Sequence, residues 1–199
     1  MKKIFRFDDI NPNTNFIKLE QLIKIALKWA NEIWLCYSPF SHDPKSKYHE
    51  HQKVPNELEK ERIFPSILKA LSNYNIFYKV DKVLDPNILF VLKEKYPSIK
   101  LVSHGLVHVD HRLLSKTAQE MSILITNSLV KSNIFIPPFN HYNKKTEKIC
   151  KENRILLCKF EHGWLHAAYN FFDNNHLKYY VHTFEIDENW LQNWFEGKK

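Results

Sequence analysis

Short apolar runs alternate with segments of helical spacing along this chain, and that alternation constrains the fold more than any other property of the sequence. Strands separated by helices pair in parallel through right-handed crossovers, in a barrel or an open sheet. The pattern predicts seven strands: Lys3 to Asp9, Ile33 to Tyr37, Ile76 to Val80, Ile99 to Ser103, Ile134 to Ile136, Ile155 to Cys158 and Leu177 to Phe184. Between them, helices are expected from about Phe16 to Asn31, with Leu19, Leu22, Ile23, Ala26 and Ala30 on the buried face, and from near Asn56 to Asn73, kinked at Pro65. Others run from about Pro86 to Lys95, from a capping box at Thr117-Ala-Gln-Glu120 to near Lys131, and from about Lys144 to Asn153. Trp190 and Trp194 fall on a closing helix, and residues 41 to 55 form a polar loop carrying His42, His49 and His51. The 199 residues suit one domain, 1–199, rather than two.

Charge and cysteine usage narrow the class of partner. Lys and Arg outnumber Asp and Glu by 29 to 22, a net charge of +7 that suits an anionic ligand such as a nucleotide-linked sugar. The basic residues are scattered along helical segments without an interleaved aromatic-and-basic motif, so a solvated Lys-rich surface is expected and nucleic-acid binding is not. Cys36, Cys150 and Cys158 form no C-x-x-C pair and sit among apolar neighbours, as small buried thiols in a reducing compartment do. With neither an apolar signal region after MKKIFRFDD nor a run long enough to span a membrane, a cytoplasmic protein is expected.

The chemistry begins at Asp8 and Asp9, side by side where the first strand gives way to a loop. Two adjacent carboxylates in an apolar setting are costly unless a cation or proton lies between them. In LVSHGLVHVDHR, His104 and His108 stand four residues apart just after another apolar strand, so a helical turn or a tight loop can aim both imidazoles at one point. Two ring nitrogens and a carboxylate oxygen from Asp9, with one position open, describe a catalytic zinc-type site. The chain's two internal glycines, Gly105 and Gly163, each follow a histidine, where a backbone needs unusual angles or a close approach. Pro137-Pro138 leaves the Phe139 amide as a donor for a developing oxyanion, and His182 in YYVHTFEID becomes a general-acid candidate if the strand ends share one rim.

In that order (Asp-Asp, His-x-x-x-His, Pro-Pro-aromatic, late His) the chain resembles the polysaccharide deacetylases, the NodB-homology or family 4 carbohydrate esterases, from Phe7 to His182. FRFDD and SHG-x-x-H-x-D-H are similar to deacetylase-like proteins associated with surface-polysaccharide biosynthesis, such as that of lipopolysaccharide. The resemblance implies a distorted seven-stranded (β/α) barrel and a divalent metal, Zn²⁺ first, on Asp9, His104 and His108, with Asp8 as general base and His182 as general acid. It implies a hydrolase removing an N-acetyl group from a sugar, a sugar nucleotide or another sugar-containing precursor. Pro138, Phe139, Trp164 and Arg112 are the expected substrate contacts, with Tyr169 a further ring for stacking on a sugar. The KFEHGWLHAAYN segment, with His162 and His166, reads as a packed aromatic loop closing the barrel, and Asp110 and His111 as surface polar groups or partners of the site.

Three departures stand out. Ile10 replaces the usual glycine after Asp-Asp, Gly105 stands where Ser or Thr is common, and no arginine precedes Pro137-Pro138 to brace the base. Arg6 and Arg112 are the candidates for that bracing role. Without it, the alternative is a catalytically idle barrel that binds carbohydrate or a biosynthetic partner. Two histidines and a carboxylate also serve Fe(II) oxygenases, which the β/α alternation and the paired Asp fit poorly.

Overall fold

The computed structural model describes residues 2–40, 83–108, 110–169 and 176–198. The expected strand Ile76 to Val80, the helix Asn56 to Asn73 and the His42, His49 and His51 loop lie outside the described residues.

Alternation along the first strand, β1 (Ile4–Ile10), sorts the molecule into two faces. Phe5 and Phe7 point to one side, into a cluster with Ile33, Leu35, Tyr179 and Val181 from neighbouring strands. Two helices close that side: α1 (Phe16–Ala26) buries Leu19, Leu22, Ile23 and Ala26, and a C-terminal helix (Glu188–Phe195) buries Leu191 and Trp194. Ile4 faces the other way, with Trp34, Cys36, Val102, Trp164 and Tyr180. Arg6 and Asp8 share the parity of Ile4 and are buried too.

Six further strands complete one parallel sheet: β2 (Glu32–Tyr37), β3 (Ile99–Ser103), β4 (Ile134–Phe135), β5 (Leu156–Leu157), β6 (Leu165–His166) and β7 (Lys178–His182). Their order is β5-β4-β3-β2-β1-β7-β6, and the sheet curls into a half-barrel. The expected distorted seven-stranded barrel is seen in part, as one curled parallel sheet with helices whose edges, β5 and β6, do not pair among the described residues. One strand arises where an aromatic loop was expected: Leu165 and His166 pair with Tyr179 and Tyr180. Two residues are too few to show a strand period in the sequence.

The remaining helices, numbered in chain order, are α2 (Asn87–Lys95), α3 (Lys116–Leu129) and α4 (Lys144–Glu152), so the C-terminal one is α5. α1 ends at Ala26, well short of Asn31: the amides of Lys28 and Trp29 donate three residues back, to Ile25 and Ala26, and those of Asn31 and Glu32 then donate to the Lys3 carbonyl beside β1. α3 opens on Ser115, whose hydroxyl accepts from the Ala118 amide, rather than on the expected box at Thr117. Asn143 caps α4 reciprocally with Thr146. The three cysteines are buried free thiols.

Candidate metal centre

In a regular strand Asp8 and Asp9 point to opposite faces. Here the pairing of β1 with β2 slips between Phe7 and Ile10, and Asp9 takes a φ of 59°. This left-handed geometry costs about 1–3 kcal/mol for a residue with a side chain and persists only where surrounding contacts impose it. The break frees both carboxylates to serve one end of the sheet: Asp8 stands opposite His182 across β1 and β7, while Asp9 reaches the histidines after β3.

Those histidines converge on a single oxygen. Nε2 of His104 and Nε2 of His108 each lie 3.0 Å from Oδ1 of Asp9. Nδ1 of His104 is 2.8 Å from the carbonyl of Ile136, which can only accept, so that nitrogen carries a hydrogen and Nε2 is the one turned to Asp9. A ring nitrogen turned to a carboxylate oxygen calls for a proton or a metal cation between them. Ligands of a tetrahedral ion with metal–nitrogen bonds of about 2.0 Å sit about 3.3 Å apart, close to the separations seen here. The donor set therefore fits a divalent cation. Burial opposes the charge on Asp9, but His108, His104 and His182 around it hold it well below the usual carboxylate range. His108, 11% exposed, is on the open side of the cluster.

Asp8 has a different partner. Arg6, two residues earlier on the same face, grips it with Nε 2.7 Å from Oδ1 and a terminal nitrogen donating to Oδ2 at 2.8 Å. The buried guanidinium lies between two rings, 4.5 Å from the centre of Trp164 and 4.6 Å from that of Tyr180. Burial works to raise the Asp8 pKa, yet Arg6 first, then His104 and His182, hold it below its ordinary value. Burial and the neighbouring Asp8 charge push the Cys36 thiol well up, so it stays protonated beside that carboxylate. Of the two arginines considered as braces, Arg6 is the one placed to act.

The third component, at the end of β7, includes a residue that sequence reasoning passed over. Nε2 of His182 lies 3.5 Å from Oδ2 of Asp9, and its Nδ1 lies 2.9 Å from Oε2 of Glu185. Burial opposes charge on His182, but the Glu185 hydrogen bond and the charges of Asp9 and Asp8 outweigh it and raise its pKa. The signal for Glu185 was its place three residues after His182: a turn in which the Glu185 amide donates to the His182 carbonyl folds the carboxylate back onto the ring.

The expected substrate contacts divide. The Phe139 ring is 4.3 Å from the ring of His108 and 40% exposed, at the rim of the cluster. Pro138 is instead buried as the support of that turn, where Phe139 and Asn140 both take positive φ. Trp164 is also corrected: it is buried against Trp34 and Arg6, donating its indole N–H to Cys158 Sγ, and has no face left for a sugar. Arg112 is exposed and held bidentately by Asp110, with His141 beside both. Burial aside, Arg112 and His141 draw Asp110 down to about 2. His111 is no surface group; it is fully buried, its Nε2 3.1 Å from the Ser122 hydroxyl. Tyr169 is exposed and stacks on His166.

Gly105 ties His104 to this loop. Its φ is +83°, and a Cβ there would come within 2.8 Å of the buried His111 ring. Gly105→Ala is expected to cost about 1–3 kcal/mol and to weaken cation binding by displacing His104 and His108. Denaturant unfolding combined with zinc titration checks this; unchanged stability and affinity would contradict it. Comparison of the chain with protein-family models, curated proteins and solved structures found no match.

Proposed function

We propose that the protein is a metal-dependent hydrolase that removes the acetyl group from an N-acetylated sugar, in a free, nucleotide-linked or other precursor form. The observation that carries this reading is the convergence of His104 and His108 on one oxygen of Asp9, beside a second carboxylate, Asp8, braced by arginine. The resemblance to polysaccharide deacetylases supports it, and Arg6 supplies the brace whose absence favoured an idle barrel.

Asp9, His104 and His108 would hold the cation. Bound there, zinc supplies Lewis acidity, polarising an acyl carbonyl and lowering the pKa of a water to about 7. Asp8, kept ionised by Arg6, accepts the proton from the attacking water as its oxygen bonds to the acyl carbon. The Phe139 amide, which its own turn does not spend, donates to the oxyanion that develops on the former carbonyl oxygen. His182, oriented by Glu185, gives a proton to the sugar nitrogen as the carbon–nitrogen bond breaks, because an amine anion is too poor a leaving group. Acetate and a free amine result. Three exposed rings, Phe139, Tyr169 and Phe184, rest against His108, His166 and His182 and offer faces for a sugar. The net charge of +7 favours anionic, nucleotide-linked substrates.

Acetate and free-amine release from N-acetylated sugar nucleotides and oligosaccharides by zinc-loaded protein tests this reading. Asp8→Asn is expected to lower the rate by about 10²–10⁴-fold, the usual worth of a positioned base, while zinc on Asp9 is kept. Asp8→Asn turning over at the wild-type rate would remove Asp8 from the mechanism, and wild-type protein inert on every such substrate would remove the reaction itself.

A further inference from the structure

A second set of donors converges on the far side of the His182 ring, and we propose that it is a second site for a transition-metal cation. Its ligands are Nε2 of His166, Nδ1 of His182 and Oε2 of Glu185. The carboxylate oxygen is 3.1 Å from His166 and 2.9 Å from His182, and the two ring nitrogens are 3.5 Å apart. These three edges bracket the separation of about 3.3 Å that a tetrahedral ion with bonds of about 2.0 Å imposes on its ligands.

A hydrogen-bonded chain of the three groups would require each nitrogen to approach the carboxylate. It would not require the two nitrogens to approach each other. Both imidazole edges meet one carboxylate oxygen with their nitrogens 3.5 Å apart, a long contact in which one nitrogen can donate to the other, and a shared cation would take a lone pair from each ring in the same arrangement. Aromatic packing fixes the rings in this pose. His166 stacks on Tyr169 at 4.3 Å and meets the edge of Tyr180 at 4.6 Å, while His182 stacks on Phe184 at 5.2 Å. His166 is buried, whereas His182 and Glu185 keep about a fifth of their side-chain surface exposed, so a fourth ligand, water or an incoming group, has access. Two imidazoles and one carboxylate favour zinc, cobalt, nickel or copper over magnesium or calcium.

The site shares no ligand with Asp9, His104 and His108, yet it touches them. His182 presents Nε2 to Asp9 Oδ2 and Nδ1 to the second site, so one imidazole ring separates the two positions. The binding claim does not depend on the hydrolase reading; a cation on Nδ1 takes the place of the Glu185 hydrogen bond and leaves His182 only its Nε2 hydrogen, so filling this site is expected to slow the acid step.

Zinc per chain, measured by equilibrium dialysis of chelator-stripped full-length protein at saturating zinc, decides it. The wild type is expected to hold two ions and each of His166→Ala, Glu185→Ala and His108→Ala to hold one, with magnesium failing to compete. Glu185, partly exposed, gives a variant that folds even where the loss of buried His166 does not, and circular dichroism verifies each. One ion in the wild type, unchanged in His166→Ala and Glu185→Ala but lost in His108→Ala, would overturn the second site and leave the first. One ion with the opposite dependence would uphold the second site and overturn the Asp9 centre, and no bound ion would overturn both.

Discussion

Arg6→Met is expected to destabilise the protein by about 3–5 kcal/mol, the cost of leaving a buried carboxylate without its partner. Arg6 and Asp8 are both buried, so neither water nor another cation among the described residues can take over the pairing. The pH dependence identifies the cause. In the wild type the Asp8 pKa is held below its ordinary value, so its contribution to stability is complete above the unfolded value of about 4 and is lost as pH falls through the folded one. In Arg6→Met the sign reverses, because burial without the guanidinium raises that pKa and the penalty shrinks as the carboxyl protonates. The stability gap between the two proteins should therefore narrow as pH falls towards 4. Urea unfolding across that range measures it, and a gap constant with pH would assign the loss to packing against Trp164 and Tyr180 instead.

His104→Ala is expected to have the larger effect on function: loss of the ion at Asp9 and a fall in turnover of about 10³-fold or more. Lewis-acid stabilisation is worth several kcal/mol, and each 1.36 kcal/mol is tenfold. His104 is the proposed ligand whose ring is fixed at Nδ1 by the Ile136 carbonyl and turned at Nε2 towards Asp9, so its loss removes a donor aimed at the centre. Zinc affinity and kcat/KM, measured on the same preparation, should fall together. A variant that kept full zinc affinity at this centre would remove His104 from the ligand set.

What the sequence made legible follows from how long each pattern is. The strands before Asp8 and His104 and the buried face of α1 rest on repeated apolar spacing, and their positions hold to within a residue or two, although α1 ends earlier than expected. The structure also brings together Asp9, His104, His108 and His182, residues drawn from three well-separated stretches. Features set by one or two residues were not visible. The two-residue strand β6 has no period to read, and Ser115, lying ahead of the expected box, is a cap only by virtue of where the helix starts. The turn of Asp9 onto the histidine side depends on a single positive φ that aspartate tolerates but does not announce. Trp164 was read from its type, as a ring for sugar; it is buried in the apolar cluster against Trp34, with the Arg6 guanidinium over its face. Glu185 was overlooked because a carboxylate three residues after a histidine becomes a partner only once the turn between them is known.

The most direct test of the metal centre is anomalous diffraction at the zinc absorption edge from crystals of the protein grown with zinc. The account predicts a peak bonded to Asp9 Oδ1, His104 Nε2 and His108 Nε2. Zinc-grown crystals with those three side chains in place and no peak between them would contradict it.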